Sequence, residues 1–424
     1  MEPICGLFDK TSNVLDSMGY VAVDNLKQGM VLGENVHDVN TRLLLSKGQK
    51  IAQNHIRILK IWGITGVNIV GIPEKTVESV LPMDNEEVDR VKNDLNRLYR
   101  NADLKNPILR EIYKNSLIHR LKSTFGSAHA SSRQRTANTL LLKKPEKLKR
   151  KIDQSEIKLP DAPTIISELS KVISDPFATS NDVANVVNKS PSLTAMLLKI
   201  VNSAYYGFPS KIDRVSRAVT IIGTKEISAL ALGVCVMKAF KDIPADVLNM
   251  EAFIRHSLAC GMIARILAAQ NNIAQTEQLF VAGLLHDVGK LLVYKYYPDH
   301  AKACLDLGLS SNASIYQTEK KILGLRHPQI AKLLLTKWNL PADLTSNIVY
   351  HHTPSRAPEP PKAAIVHLAD IISHGLGIGS SGERSIPHFD HPILDEVSNS
   401  SDGIKMVIRQ TVHQFGPMDA IFNG

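Results

Sequence analysis

The stretch LFVAGLLHDVGK, residues 279–290, decides how the rest of this chain is read. Leu279 to Leu285 reads as an apolar helix that ends in the pair His286-Asp287 and is followed by Val288-Gly289-Lys290. Neighbouring residues on a helix point about 100° apart, so both side chains can serve one site only if it lies across the helix face. Asp287 would then bridge toward a second ion, an arrangement that suits a two-metal centre.

Working outward, the same half of the chain contains His256, His327, the pair His351-His352, and Asp370. Neutral imidazole suits iron, manganese and zinc, and a carboxylate can bridge two cations while offsetting their charge. Order and context carry more weight than the count, because a single helical histidine is ordinarily a surface or core residue. His327 precedes Pro328, a first-turn proline, and so is expected at a helix N-terminus. His351 and His352 close DLTSNIVYHH before the breaker TPSRAPEPP, and Asp370 lies in AAIVHLADIISHG with His367 one turn earlier.

Around these residues the chain from Leu159 to His374 shows repeated helical stripes separated by short breakers, among them SDP at Ser174, KSP at Lys189 and NLPAD at Asn339. No alternating strand pattern competes, so an all-helical domain is expected over 158–424, with surface loops in the Gly-, Ser- and Pro-rich segment 375–403 and a last helix from about Ile404. Upstream, residues 1–73 read as a small α+β module. YVAV, VLGENV, LLLSKG and VNIVG are its strands, a helix runs from Asn54 to Trp62, and glycines stand where turns need positive φ. Residues 74–127 are expected to be connecting helices, with a stripe of Val88, Val91, Leu95 and Leu98. Residues 128–157 lose apolar periodicity and read as a basic linker.

At 424 residues the chain exceeds one ordinary core, which accords with several folded units. Apolar residues at 44% and charged residues at 21% are near the globular average and exclude a disordered or fibrous chain. Cys5, Cys235, Cys260 and Cys304 form no CxxC pair, which argues against a disulfide framework or zinc ribbon and fits a reduced cytoplasm. The start, MEPICGLFDK, lacks an apolar signal core, and the longest apolar run, Ala229 to Met237, is too short to span a membrane. The net charge of +9 concentrates between Arg133 and Lys151, where eight basic residues face one acidic residue for a local net of +7. Without interleaved aromatics the tract reads as a solvated connector, and a role on nucleic acid or an anionic surface is the lesser alternative.

The order His256, His286-Asp287 with Gly289-Lys290, His327-Pro328, His351-His352 and Asp370 resembles the HD superfamily, specifically its HD-GYP and HDOD branches. The resemblance implies metal ligation by His256, His286, Asp287, His327, His351, His352 and Asp370, and a place for Lys290 near a substrate phosphate. Two features depart from HD-GYP enzymes: His352 runs into Thr353-Pro354-Ser355 where a DGxGYP-type loop would follow, and Ala252 stands where some members carry an additional glutamate ligand. Leu159-Pro160, Pro163, Asp175-Pro176, Ser190-Pro191, Asn202-Ser203-Ala204, Ile222-Gly223, and GLRHPQIAKLLLTKWNLPADL with Trp338 match HDOD domains instead. The N-terminal VDNLKQGMVLGENV and LLLSKG resemble the small domain that often precedes HD-GYP domains, implying regulation or homodimerisation.

The expectation is therefore a mainly α bacterial cytoplasmic signalling protein. Its HDOD domain would hold one or two divalent ions, iron or manganese with zinc also admitted, and act through protein partners. The alternative is a metal-dependent phosphohydrolase acting on a nucleotide or cyclic dinucleotide, with Asp287 and Lys290 catalytic.

Overall fold

The computed structural model describes residues 18–37, 43–61, 66–71, 85–126, 159–390 (except 176, 204, 205, 207, 209, 241, 242 and 312) and 393–423. The expected basic linker, 128–157, including the tract 133–151, lies wholly outside the described residues. The chain divides into two compact units, Met1–Asp84 and Asn85–Gly424.

In the first unit, β1 (Met18–Ala22) pairs antiparallel with β4 (Gly66–Val70), with Met18 opposite Val70 and Ala22 opposite Gly66. A second short ladder joins β2 (Val36–His37) to β3 (Leu43–Leu45), and α1 (Gln53–Ile61) lies between β3 and β4 in sequence. Leu32, Ile51, Leu59, Val67 and Ile69 form its small apolar centre. Gly29 and Gly48 have φ of +95° and +81°, the left-handed turn conformations that side chains disfavour.

The second unit is helical among its described residues. It begins with α2 (Asn85–Leu98) and α3 (Pro107–Gly126), continues through α4 (Thr164–Ser174), α5 (Ser180–Asn188), α6 (Pro191–Val201) and α7 (Val215–Ile222), and reaches its centre at α8 (Thr224–Ala239). The side chains from Ile227 to Met237 are all buried, so the longest apolar run in the sequence serves as a core helix. Then come α9 (Met250–Gln270), α10 (Thr276–Leu285), α11 (Val288–Tyr296), α12 (Pro298–Ser311), α13 (Ile315–Ile322), α14 (His327–Lys337) and α15 (Ala342–Val349). After a short 3-10 turn, α16 (Pro360–Leu376), α17 (Ile393–Ser398) and α18 (Ser401–Asn423) complete the unit. By length and composition α9 could cross a membrane, yet its side chains are largely buried against α10 and α16, as in a core helix.

Several residues of the sequence pattern have local structural roles. The Trp338 indole N–H donates to the Pro160 carbonyl at 2.8 Å and ties the start of the domain to the end of α14. The Asn202 side chain exchanges two hydrogen bonds with the backbone of Ile212, both 2.7 Å, closing the connection from α6 to α7.

Two expectations need correction. Residues 85–126 do more than connect: Leu95, Tyr99, Leu109 and Ile112 belong to the same buried core as the later helices, and Arg120 donates to the carbonyls of His374 and Gly375, each at 2.8 Å. The stripe visible in the sequence lies on α2 and needed a partner surface; α3 supplies it and itself packs against α16 and α18. Likewise, 377–390 is not a plain surface loop. Ser381, Ser385, Ile386 and Phe389 are buried, and the Ser380 N–H donates to the Ala252 carbonyl at 2.8 Å, holding the segment against α9. The last helix also starts slightly earlier than expected, at Ser401.

Helix spacing around the centre is set by glycine. A Cβ on Gly261 of α9 would come within 2.7 Å of the Phe280 carbonyl oxygen, and one on Gly283 of α10 within 2.7 Å of that of Cys260. A Cβ on Gly289 would come within 2.0 Å of the His327 carbonyl oxygen and 3.0 Å of the Ala331 nitrogen, so α11 and α14 touch backbone to backbone. Gly289→Ala is therefore predicted to force these helices apart and cost at least about 1–3 kcal/mol. Chemical denaturation would measure the loss, and a variant as stable as the parent would contradict this contact.

Candidate metal centre

The helices converge their polar residues at one buried place. The His286-Asp287 pair does not close a single helix, as expected from the sequence, but forms the junction between two: His286 caps the end of α10 and Asp287 precedes α11. The break lets both side chains turn inward. His256 comes from the middle of α9, His327 from the first turn of α14, His351 and His352 from the turn after α15, and Asp370 from the interior of α16. The seven expected residues are thus brought together, each at most 3% exposed apart from the partly exposed His352.

Asp370 Oδ1 lies 3.2 Å from His256 Nε2 and 3.6 Å from His286 Nε2. The Asp287 carboxylate stands 3.2 Å from His286 Nε2 through Oδ2 and 3.2 Å from His327 Nε2 through Oδ1. His327 Nε2 and His351 Nε2 are 3.4 Å apart. Despite these close approaches, His286 Nε2 and Asp287 Oδ1 have no hydrogen bond of acceptable geometry, and the buried His352 Nε2 has no partner.

The outer nitrogens explain how the rings are aimed. The Nδ1–H of His286 donates to the Gly283 carbonyl and that of His351 to the Ile348 carbonyl, both at 2.7 Å. His327 donates to Glu319 Oε2 from Nδ1 at 2.8 Å and from its backbone N–H at 2.9 Å. His256 Nδ1 faces the Ser373 hydroxyl at 3.2 Å. With these four Nδ1 atoms so engaged, their Nε2 atoms face inward, the arrangement in which outer hydrogen bonds orient metal-binding imidazoles. The donor set and its unpartnered inward atoms fit a divalent ion. Donor atoms of His256, Cys260, His286 and Asp370 lie within 4.8 Å of one another, as do those of His327, His351 and His352, and those of His286, Asp287 and His351.

Lys290 is buried in the same place. Its ammonium donates to Asp287 Oδ2 at 2.8 Å and to the Ser381 hydroxyl at 3.2 Å, while the Tyr294 hydroxyl donates to the Ser381 carbonyl at 3.1 Å. Burial opposes the lysine charge, but Asp287 more than offsets this and holds the group protonated. A lysine expected beside substrate is here an internal counter-ion under the 377–390 segment.

Three participants escaped the sequence reading. Cys260 and His374 stand one helical turn after His256 and Asp370, and His374 Nδ1 is 2.8 Å from Asp370 Oδ1; the i, i+4 spacing was the available signal. Glu319, on α13, has no such signature because its role arises only when α13 meets α14. His367 is buried near Asp370 in sequence, but it donates through Nε2 to the His388 carbonyl at 2.7 Å and holds the covering segment instead.

The chain's likeness to known proteins follows the same helices. The HDOD domain model matches residues 159–354. Residues 159–354 are an HDOD domain. The match ends before α16, so Asp370 and the covering segment are added from beyond the matched stretch of the HDOD domain. An uncharacterized protein of Treponema pallidum (strain Nichols) is 26% identical over 214 residues, 50% of this chain and 41% of that protein. The chain thus spans well under half the length of this curated relative. An HDOD domain protein of unknown function from Geobacter sulfurreducens has 22% identity over 64% of this chain and 95% of its own, with a TM-score of 0.52. A candidate phosphohydrolase from Shewanella amazonensis has 22% identity over 65% of this chain and 97% of its own, with a TM-score of 0.51. Both likenesses concern the fold.

The charges set a pH profile for the metal-free protein. Burial, reinforced by His374, lowers His256 to about 4, and burial with neighbouring imidazoles keeps His351 and His352 well below the usual value of 6.5. For these rings the unfolded chain binds more protons below pH 6.5, so their contribution to stability is complete above that pH and declines toward about 4. His286 is opposite: burial disfavours its charge, but Asp287 and Asp370 raise it to about 10, so its contribution is complete below 6.5 and declines toward about 10. In chelator, thermal stability is predicted to peak near neutral pH and fall on both sides. A flat profile from acid to alkali would contradict this charge arrangement.

Proposed function

We propose that this chain is a bacterial signal-transduction protein whose HDOD domain holds one or two divalent metal ions in a closed internal centre and acts through contacts with protein partners. The observation that carries this reading is the enclosure of the donor set, with only His352 partly exposed. His256, His286, Asp287, Lys290, His327, His351 and Asp370 are each at most 3% exposed, and Lys290 is engaged on both sides by Asp287 and Ser381. A buried centre of this kind suits a structural or sensory ion, whereas a catalytic site keeps a coordination position open to water and substrate.

His256, His286, Asp287, His327, His351, His352 and Asp370 would hold the metal. A divalent ion would supply fixed positive charge against Asp287 and Asp370 and link α9, the α10–α11 junction, α14, the turn after α15, and α16. Iron, manganese and zinc all suit mixed imidazole and carboxylate donors. The chain's own residues prepare the place: Gly283, Ile348 and Glu319 fix the rings, and Lys290 balances Asp287. The N-terminal α+β unit is proposed as the regulatory or dimerising part.

In the phosphohydrolase reading, Asp287 and Lys290 would act on a phosphoryl group. Lys290 could meet such a group only after the segment bearing Ser381 moved away, and its ammonium would have to leave Asp287. The signalling reading therefore predicts no turnover of cyclic dinucleotides, nucleoside monophosphates or a generic phosphodiester by the metal-loaded protein. Turnover abolished by Asp287→Ala would replace it with the enzyme reading. Elemental analysis tests the centre itself: Asp287→Ala is expected to lose at least about half of the bound metal, since a carboxylate ligand is removed. Unchanged metal content in that variant would remove the proposed ligand set.

A further inference from the structure

The end of the centre nearest α9 contains a donor that the histidine and aspartate series does not include. Cys260 is fully buried, and its Sγ is 3.6 Å from His256 Nε2 and 4.0 Å from Asp370 Oδ1. The backbone contacts at Gly261 and Gly283 bring this turn of α9 directly against α10, where His286 ends the helix. His286 Nε2 faces the same space, is 0% exposed and, though 3.2 Å from Asp287 Oδ2 and 3.6 Å from Asp370 Oδ1, makes no hydrogen bond of acceptable geometry.

We propose that Cys260 is a thiolate ligand, forming with His256, His286 and Asp370 a four-donor subsite for a borderline-soft divalent ion of the zinc class. This deepens the metal-centre reading and rests on it. The spacing supports four donors around one ion. With zinc bonds of about 2.3 Å to sulfur and about 2.0–2.1 Å to nitrogen or oxygen, tetrahedral geometry separates sulfur from nitrogen by about 3.6 Å and nitrogen from oxygen by about 3.4 Å. The corresponding separations here are 3.6 Å for Cys260–His256, 3.2 Å for His256–Asp370 and 3.6 Å for His286–Asp370, with Cys260–Asp370 longer at 4.0 Å. A single thiol-to-imidazole hydrogen bond would explain the first of these distances but would leave His286 Nε2 with its two carboxylate neighbours and no hydrogen bond of acceptable geometry.

On binding, the sulfur–hydrogen bond breaks, a metal–sulfur bond forms and the proton passes to solvent, with no change of oxidation state. A sulfur donor moves this end of the centre toward zinc or iron and away from manganese. The other end, with Asp287, His327, His351 and His352, offers only nitrogen and oxygen.

The test uses the full chain, stripped of metal by chelation and reloaded with cobalt(II) as a spectroscopic probe. The expected result is tetrahedral visible absorption together with an intense near-ultraviolet thiolate-to-cobalt band, and Cys260→Ser should retain bound cobalt while losing that band. Competition titrations should show Cys260→Ser weakening zinc binding by about tenfold or more while manganese binding changes by less than about twofold. Bound cobalt without the sulfur band, a band that persists in Cys260→Ser, or equal weakening of both metals would overturn the Cys260 assignment and leave the metal centre standing. Failure of the parent protein to bind cobalt, zinc or manganese would overturn both. If Cys260→Ser does not fold, X-ray absorption at the zinc edge of the parent decides: a sulfur neighbour at about 2.3 Å supports the assignment, and nitrogen and oxygen neighbours alone refute it.

Discussion

Two carboxylates buried in the middle of a helical body, Asp287 and Asp370, impose the constraint that the surrounding structure answers. Their charge cannot be left unpaired in so apolar a place, and each is surrounded by cations or imidazoles drawn from several helices. Burial alone would raise both acids; for Asp287 the neighbouring His286 and Lys290, and for Asp370 the neighbouring His374, His256 and His286, pull them well below the usual carboxylate range. The helices are therefore joined by charge at the same centre where their apolar faces meet.

The packing leaves little freedom for that meeting. Glycine at 261, 283 and 289 removes the side chains that would otherwise separate α9 from α10 and α11 from α14. Close backbone approach places His327 beside Asp287 and Cys260 beside His286, while carbonyl and carboxylate acceptors aim the rings. Position is thus set from behind by Gly283, Ile348, Glu319 and Ser373, and the inward nitrogens are left for one another or for an ion.

The covering segment distinguishes a closed centre from an open one. Residues 377–390 use a backbone bond to Ala252, Ser381 against Lys290 and Tyr294, the Glu383 carboxylate accepting from the Ile315 N–H, and the His388 carbonyl accepting from His367. Arg120 reaches the carbonyls at the end of α16, so the early helices α2 and α3 support the same region. A lysine in such surroundings is an electrostatic partner of Asp287.

The helical class, the point near Leu159 where the HDOD match begins and the seven converging residues were legible in the sequence. Apolar periodicity, breakers and the order of histidines and aspartates are local properties, written within a few turns of chain. The His-Asp junction was legible only in part, because residue spacing does not reveal that one helix stops and another begins between neighbours. The integration of 85–126, the covering role of 377–390 and the contribution of Glu319 were invisible, since each depends on which surface a segment meets far along the chain. Cys260 and His374 lay between these cases: their one-turn spacing from known candidates was present, but only the approach of α9, α10 and α16 turns that spacing into shared contact. The sequence by itself determined which donors were available and on which kinds of element. The tertiary structure alone decided whether they were open to solvent, because enclosure depends on distant segments closing over a charge that must remain compensated.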